Sequence, residues 1–170
     1  MSARSIEYAV LPCSLGKLLV AGTERGVCFV QLGGSAARLR ARLAEEFPFA
    51  PLAPGGSRLA AWARALVGAV EGEAGGLRVP LDVRGSRFQR RVWNALRRIP
   101  RGETRSYAEV ARRLGLPGGA RAVGRACAAN PAPVAIPCHR VIASDGSLGG
   151  YAFGLARKRA LLAREGAAQR

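Results

Sequence analysis

The sequence predicts two units of different class: an α/β unit over residues 1–84 and a mainly helical unit with a helix-turn-helix over residues 85–170. Three observations support the division. Strand-like runs cluster in the first third of the chain, glycines and Pro80 interrupt the pattern around residues 72–85, and two Ser-x-x-Gln/Glu capping boxes follow that break. Charge divides at the same place. Residues 1–84 hold 10 Lys/Arg against 7 Asp/Glu, a balance of +3, whereas residues 85–170 hold 17 against 4, a balance of +13. With 170 residues, 49% of them hydrophobic, the chain can fill a core in each unit.

In the first unit Ile6–Val10 alternates as a strand does, and Lys17–Ala21 and Val27–Leu32 read as two more. The turn Thr23-Glu-Arg-Gly26 between the latter pair predicts an antiparallel meander. Two amphipathic helices follow. One places Leu39, Leu43 and Phe47 on a face; the other starts at Ser57 and aligns Leu59, Trp62, Ala63, Leu66 and Val70. A short strand is expected at Val79–Val83.

In the second unit Ser86 and Gln89 form a capping box for a helix burying Phe88, Val92, Leu96 and Ile99. Ser106 and Glu109 form another, opening Tyr107–Leu114. Gly115-Leu-Pro-Gly-Gly119 stops that helix, and a short one follows over Ala120–Ala129. Two short helices joined by a glycine turn in a basic unit predict a helix-turn-helix. On its second helix Val123 and Cys127 are expected to face the core, leaving Arg121, Ala122, Gly124, Arg125 and Ala128 for a partner. That face is thin and positive and carries no Asn, Gln or Ser to read base edges. It suits close backbone approach or a minor groove, and predicts binding largely independent of sequence.

The charge excess predicts a polyanionic partner, nucleic acid above all. No apolar run is long enough to span a membrane, and the first residues lack a signal-peptide core, so a cytoplasmic protein without a membrane partner is expected. The four cysteines have no metal-type spacing and there is a single histidine, so neither a metal site nor a cofactor is expected. Cys13, Cys28 and Cys127 read as small buried residues.

The single histidine follows a cysteine in Ile136-Pro-Cys-His-Arg-Val141. Thiolate is the reactive form of cysteine, and imidazole is the usual group for drawing off its proton. Two prolines and the β-branched Val134, Ile136, Val141 and Ile142 predict an extended segment here. Cys138 and His139 then point to opposite faces, and a water relays the proton between them. His139 needs a third group, for which Glu165 qualifies: it shares the buried-looking face of Leu161 and Leu162, and pairs either with the histidine or with an arginine. The aspartates Asp82 and Asp145 sit in turns and attract no role. A peptidase, a redox sensor and an alkyl acceptor all use such a thiol. Only the last accounts for a basic helix-turn-helix directly upstream, with its electrophile on a base flipped from the stack.

Asn130-Pro-Ala-Pro-Val-Ala-Ile-Pro-Cys-His-Arg-Val141 resembles the active-site signature of the O6-alkylguanine-DNA alkyltransferases, the methylated-DNA–protein-cysteine methyltransferases. The resemblance extends to Phe88-Gln-Arg-Arg-Val-Trp93, Pro100 through Tyr107, Arg121-Ala-Val-Gly124 and Gly150 through Leu155. It implies a ribonuclease-H-like first domain and a winged-helix-like second one. It implies irreversible, single-turnover transfer of the alkyl group from guanine O6, and from O4-alkylthymine, to Cys138. It further implies double-stranded DNA carrying the alkylated base as the partner, a monomeric protein, and a place in the bacterial cytosol or nucleoid. By the same likeness Cys138, His139 and Glu165 form a sulfur–water–imidazole–carboxylate relay and Asn130 braces the turn. Tyr107 pushes the target phosphate and contributes to the pocket, Arg121 fills the vacated stack, and Pro133, Val141, Tyr151, Ala152 and Phe153 wall the guanine pocket.

Tyr151-Ala-Phe-Gly154 departs from the animal pattern and is similar to the bacterial adaptive-response type, as is Cys13-Ser-Leu-Gly-Lys17. In that type the domain is the C-terminal half of a larger regulator, whose four-cysteine zinc module has no counterpart in these residues. Two rivals remain at this level. A lesion sensor that transfers nothing lacks the acceptor cysteine, so Cys138 argues against it. A sequence-reading regulator with a sensing thiol is disfavoured by the alanine-rich second helix.

Overall fold

The computed structural model of the chain describes residues 4–75 and 77–167. These fall into two compact units that divide between Arg84 and Gly85. The first three residues, part of the opening read for a signal core, lie outside the described residues. Among the described residues no helix is long and apolar enough to cross a membrane.

In the first unit β1 (Ile6–Cys13), β2 (Gly16–Gly22) and β3 (Val27–Gly33) form the expected antiparallel meander. The Thr23–Gly26 turn closes with Thr23 N–H donating to the Gly26 carbonyl at 2.9 Å. A fourth strand, β4 (Leu52–Pro54), pairs parallel with β1 and sets the order β3-β2-β1-β4. The sequence did not announce it, because three residues ending in proline show no alternation. Helices α1 (Ala36–Glu46) and α2 (Ser57–Glu71) supply the other layer. Leu39 and Leu43 enter the core, and Phe47 meets Phe29 edge-on at 5.9 Å. Of the predicted α2 face, Leu59, Ala63, Leu66 and Val70 are buried. Trp62 is only half-buried, with the Arg58 guanidinium 5.7 Å from its ring.

The strand expected at Val79–Val83 reduces to one bridge. Val27 N–H donates to the Pro80 carbonyl and Asp82 N–H to the Val27 carbonyl, both at 2.8 Å. Gly26 is needed there, since a Cβ would stand 2.6 Å from the Pro80 carbonyl. Asp82, which attracted no role, accepts from Thr23 Oγ1 at 2.5 Å and ties this segment to the β2–β3 turn. Cys28 is buried as expected, but Cys13 is half-exposed because it ends β1 at the tight turn into Gly16.

In the second unit α3 (Arg87–Leu96) and α4 (Tyr107–Arg113) begin at the two predicted capping boxes, with both arms formed in each. α5 (Ala120–Ala128) packs on both helices, so α4 and α5 make the helix-turn-helix pair. The α3 core differs from expectation. Trp93 is buried while Phe88 is only half-buried, because the indole Nε1–H reaches the Ala126 carbonyl at 2.8 Å and locks α3 to α5. Two-residue strands β5 (Arg105–Ser106) and β6 (Val141–Ile142) pair in parallel, and α6 (Leu155–Arg164) closes the unit.

Candidate active site

The segment around Cys138 is not the extended strand expected. Only Val141–Ile142 is a strand, and Cys138–Arg140 is a single 3-10 turn. The reason is Asn130. Its Oδ1 accepts from Ala132 N–H at 2.9 Å and its Nδ2 donates to the Ile136 carbonyl at 2.9 Å, while Ile136 N–H donates to the Ala132 carbonyl at 2.8 Å. These bonds curl residues 130–136 into a loop against the β-propensity of its side chains. Val134 sits at φ 77°, a left-handed conformation that strains a β-branched residue. Several bonds across the loop over-determine that strain and hold the following turn in place.

On that turn Cys138 and His139 diverge toward different partners. His139 is buried, and its Nε2 lies 2.8 Å from Glu165 Oε1, at the C-terminal end of α6. Arg140 grips the same carboxylate: Nε donates to Oε2 at 3.0 Å and Nη2 to Oε1 at 2.9 Å, while Nη1 donates to the Ile99 carbonyl at 2.8 Å. The alternatives of a histidine partner or an arginine partner for Glu165 are thus both realised. Burial by itself would raise the Glu165 pKa. The hydrogen bonds from His139 and Arg140 outweigh it and bring the group down to about 2. Against an ionised carboxylate, Nε2 must be the protonated nitrogen, so Nδ1 carries a lone pair. Burial holds the His139 pKa below its ordinary value despite Glu165, and the ring is a neutral base.

Cys138 is also buried, and burial raises its pKa. A hydrogen bond from the Asn130 side chain and the charge of Lys158 act the other way. The thiol therefore stays protonated at rest and needs a base. Burial also pushes Cys28 and Cys127 up, to about 12.

Lys158 was missed at the sequence level. It is fully buried on α6, and its Nζ donates to the carbonyls of Val141 at 2.6 Å, Leu148 at 2.5 Å and Gly150 at 3.1 Å. The ammonium stands 6.0 Å from the Tyr107 ring centre. A lysine in an arginine-rich helix looks like surface. Only its position one turn before Leu161 and Leu162, the buried pair, could have betrayed it.

Cys138 opens onto a cavity of about 720 Å³. Tyr107, Arg121, Gly124, Cys127, Tyr151 and Ala152 share its wall. Gly149, at φ 69°, is held to glycine because a Cβ would come 3.0 Å from the Tyr107 hydroxyl. Pro133, Val141 and Phe153 are buried and are not part of the wall. Phe153 instead braces Tyr151 edge-on, with ring centres 5.5 Å apart. On α5, Arg121 and Arg125 are exposed, and Ala122 and Gly124 are half-buried. Cys127, expected in the core, is half-exposed on the cavity wall; Ala126 takes the buried position under Trp93. Among the described residues no three His, Cys, Asp or Glu side chains gather as a metal-ligand set.

Residues 6–83 match the ribonuclease-like domain of 6-O-methylguanine DNA methyltransferase, and residues 87–167 match its DNA binding domain. The bifunctional transcriptional activator/DNA repair enzyme Ada of Escherichia coli is 45% identical over 95% of this chain and 46% of its own length. A methylated-DNA–protein-cysteine methyltransferase of Methanosarcina acetivorans is 39% identical over 94% of this chain and 97% of its own. Among solved structures, Mycobacterium tuberculosis OGT in complex with DNA aligns with a TM-score of 0.78 at 38% identity, covering 95% of this chain and 92% of that one. The chain spans about half the length of the first two curated relatives it matches. With both domain types matched in order and a full-length relative at this identity, the chain belongs to the methylated-DNA–protein-cysteine methyltransferase family.

Proposed function

We propose that this chain repairs double-stranded DNA by taking the alkyl group of O6-alkylguanine, or of O4-alkylthymine, onto Cys138, once per molecule. The observation that carries the reading is a buried thiol on a cavity wall, one residue from a buried histidine that is itself held by a carboxylate. A cavity of about 720 Å³ lies within the roughly 300–1,000 Å³ range of small-molecule pockets, enough for a flipped base. The first unit is the ribonuclease-like domain, and the second binds DNA and accepts the alkyl group.

The chemistry balances without a further reactant. The thiol proton passes through a water to His139 Nδ1, and Glu165 steadies the imidazolium. Sulfur attacks the alkyl carbon in line, the S–C bond forms and the C–O6 bond breaks. Guanine leaves with the pair and regains the proton. A thioether has no route back, so the molecule is consumed. Arg121 at the cavity rim takes the place of the extruded base, Tyr107 turns the phosphate, and Ala122, Gly124 and Arg125 lie along the groove.

The test is to mix the protein with duplex bearing O6-methylguanine and weigh it. One methyl group on Cys138, with loss of one lesion per protein, is expected; no gain in mass, or many turnovers, overturns the reading. Arg121→Ala is expected to slow repair of duplex much more than reaction with the free alkylated base. Equal losses on the two substrates count against its role in the stack.

A further inference from the structure

Among the described residues, Nδ1 of His139 and the hydroxyl of Tyr151 are buried polar atoms with no hydrogen-bond partner. They are chemically complementary. Nδ1 can only accept, because Nε2 donates to Glu165, whereas a phenol can donate. A buried hydroxyl left unpaired costs on the order of 1–3 kcal/mol. Packing gives no reason for that cost, since a phenylalanine would fill the same edge-on contact with Phe153. The Tyr151 ring shares the cavity wall with Cys138, and the charges of Cys138 and Glu165 both bear on its hydroxyl.

We propose that Tyr151 is a further catalytic residue, whose hydroxyl donates a hydrogen bond to the Cys138 sulfur as the thiolate forms, while His139 takes the proton. The inference rests on Cys138 being the reactive thiol. The S–H bond breaks, its proton goes to Nδ1, and the electron pair stays on sulfur, where Asn130 and Tyr151 are the two donors. When the S–C bond forms, the sulfur becomes a weak acceptor and the Tyr151 bond lapses. The bond is therefore strongest in the charged state just before transfer, the condition for an interaction to raise a rate. It also gives Phe153 a purpose, since the edge-on contact fixes the direction of the Tyr151 ring.

The other groups that bear on the thiol are Asn130, Tyr107 from α4, Cys127 from α5 and Lys158 from α6; Glu165 and Arg157 bear on Tyr151. Replacing Tyr151 by phenylalanine keeps all of them and keeps the ring. The experiment titrates the Cys138 thiolate in the full chain by its ultraviolet absorbance, with Cys138→Ser as background, and follows alkylation by iodoacetamide across pH. In Tyr151→Phe the midpoint should rise by roughly one pH unit and the neutral-pH rate fall about tenfold, the usual worth of a hydrogen bond to a charged group. An unchanged midpoint overturns the proposal, whether or not the rate falls, because a purely structural role lowers rate without moving the titration. Neither readout uses DNA, so failure of the repair reading would show separately in the mass measurement.

Discussion

A Glu165→Gln variant is expected to lose roughly a hundredfold in the rate of alkyl transfer at neutral pH, the scale of a lost charged hydrogen bond in a buried site. The carboxylate receives three donors: the His139 ring, and Nε and Nη2 of Arg140. An amide offers one accepting oxygen and one donating nitrogen, so it cannot satisfy all three. If the oxygen stays with Arg140, the amide nitrogen faces His139. The ring proton then moves to Nδ1, the nitrogen that takes the thiol proton in the proposed relay. If the oxygen stays with His139, the imidazolium formed in the reaction loses its counter-charge. Single-turnover rates measured across pH distinguish this from a folding defect, and an unaltered rate would remove His139 and Glu165 from the relay.

Stability should change with pH in a matching way. The Glu165 pKa is depressed in the folded state, so its contribution is present above the ordinary carboxylate range and is lost as pH falls through about 2. The His139 pKa is also depressed. As pH drops below the ordinary histidine value, the unfolded chain binds a proton that the folded one does not, and stability declines. The native protein should therefore weaken steadily on the acid side. Glu165→Gln should be less stable at neutral pH and show a flatter decline below the carboxylate range. Denaturant midpoints at stepped pH test this.

Lys158→Met should be the most damaging substitution away from the thiol, costing about 3 kcal/mol in stability and most of the activity. Its three acceptors come from β6 and from both ends of the segment that returns to the cavity wall. Methionine fills the volume but leaves the buried Val141 carbonyl without its donor. It also removes the positive charge that offsets desolvation of Cys138. Activity should fall more than stability predicts, and the thiol titration should move upward. A variant with native stability and native rate would reduce Lys158 to a packing residue.

Much of the fold was legible because its signals are local. The β1–β3 meander followed from alternation and a four-residue turn, and both capping boxes formed because they need only residues three apart. The failures share an opposite cause. β4 exists because β1 offers it an edge, Trp93 is buried because Ala126 offers its carbonyl, and Cys127 faces the cavity because Ala126 takes the core position. Each depends on a neighbour distant in sequence.

The site divides in the same way. Its chemical identity lay in the sequence alone: a single histidine beside a cysteine, in a run specific enough to identify the family, following a basic helix-turn-helix. Residue types and their order along the chain settle which reaction is feasible, since nucleophile, base and polyanion affinity are properties of side chains. The tertiary structure decided how those groups are poised. It turned an expected strand into a 3-10 turn because Asn130 bonds across its loop, and it gave Glu165 to His139 and Arg140 at once. It also buried Lys158 where its charge bears on the thiol and left the Tyr151 hydroxyl without a partner among the described residues. Proton affinity and hydrogen-bond direction are set by what lies within a few ångströms, and that is fixed only when distant segments meet.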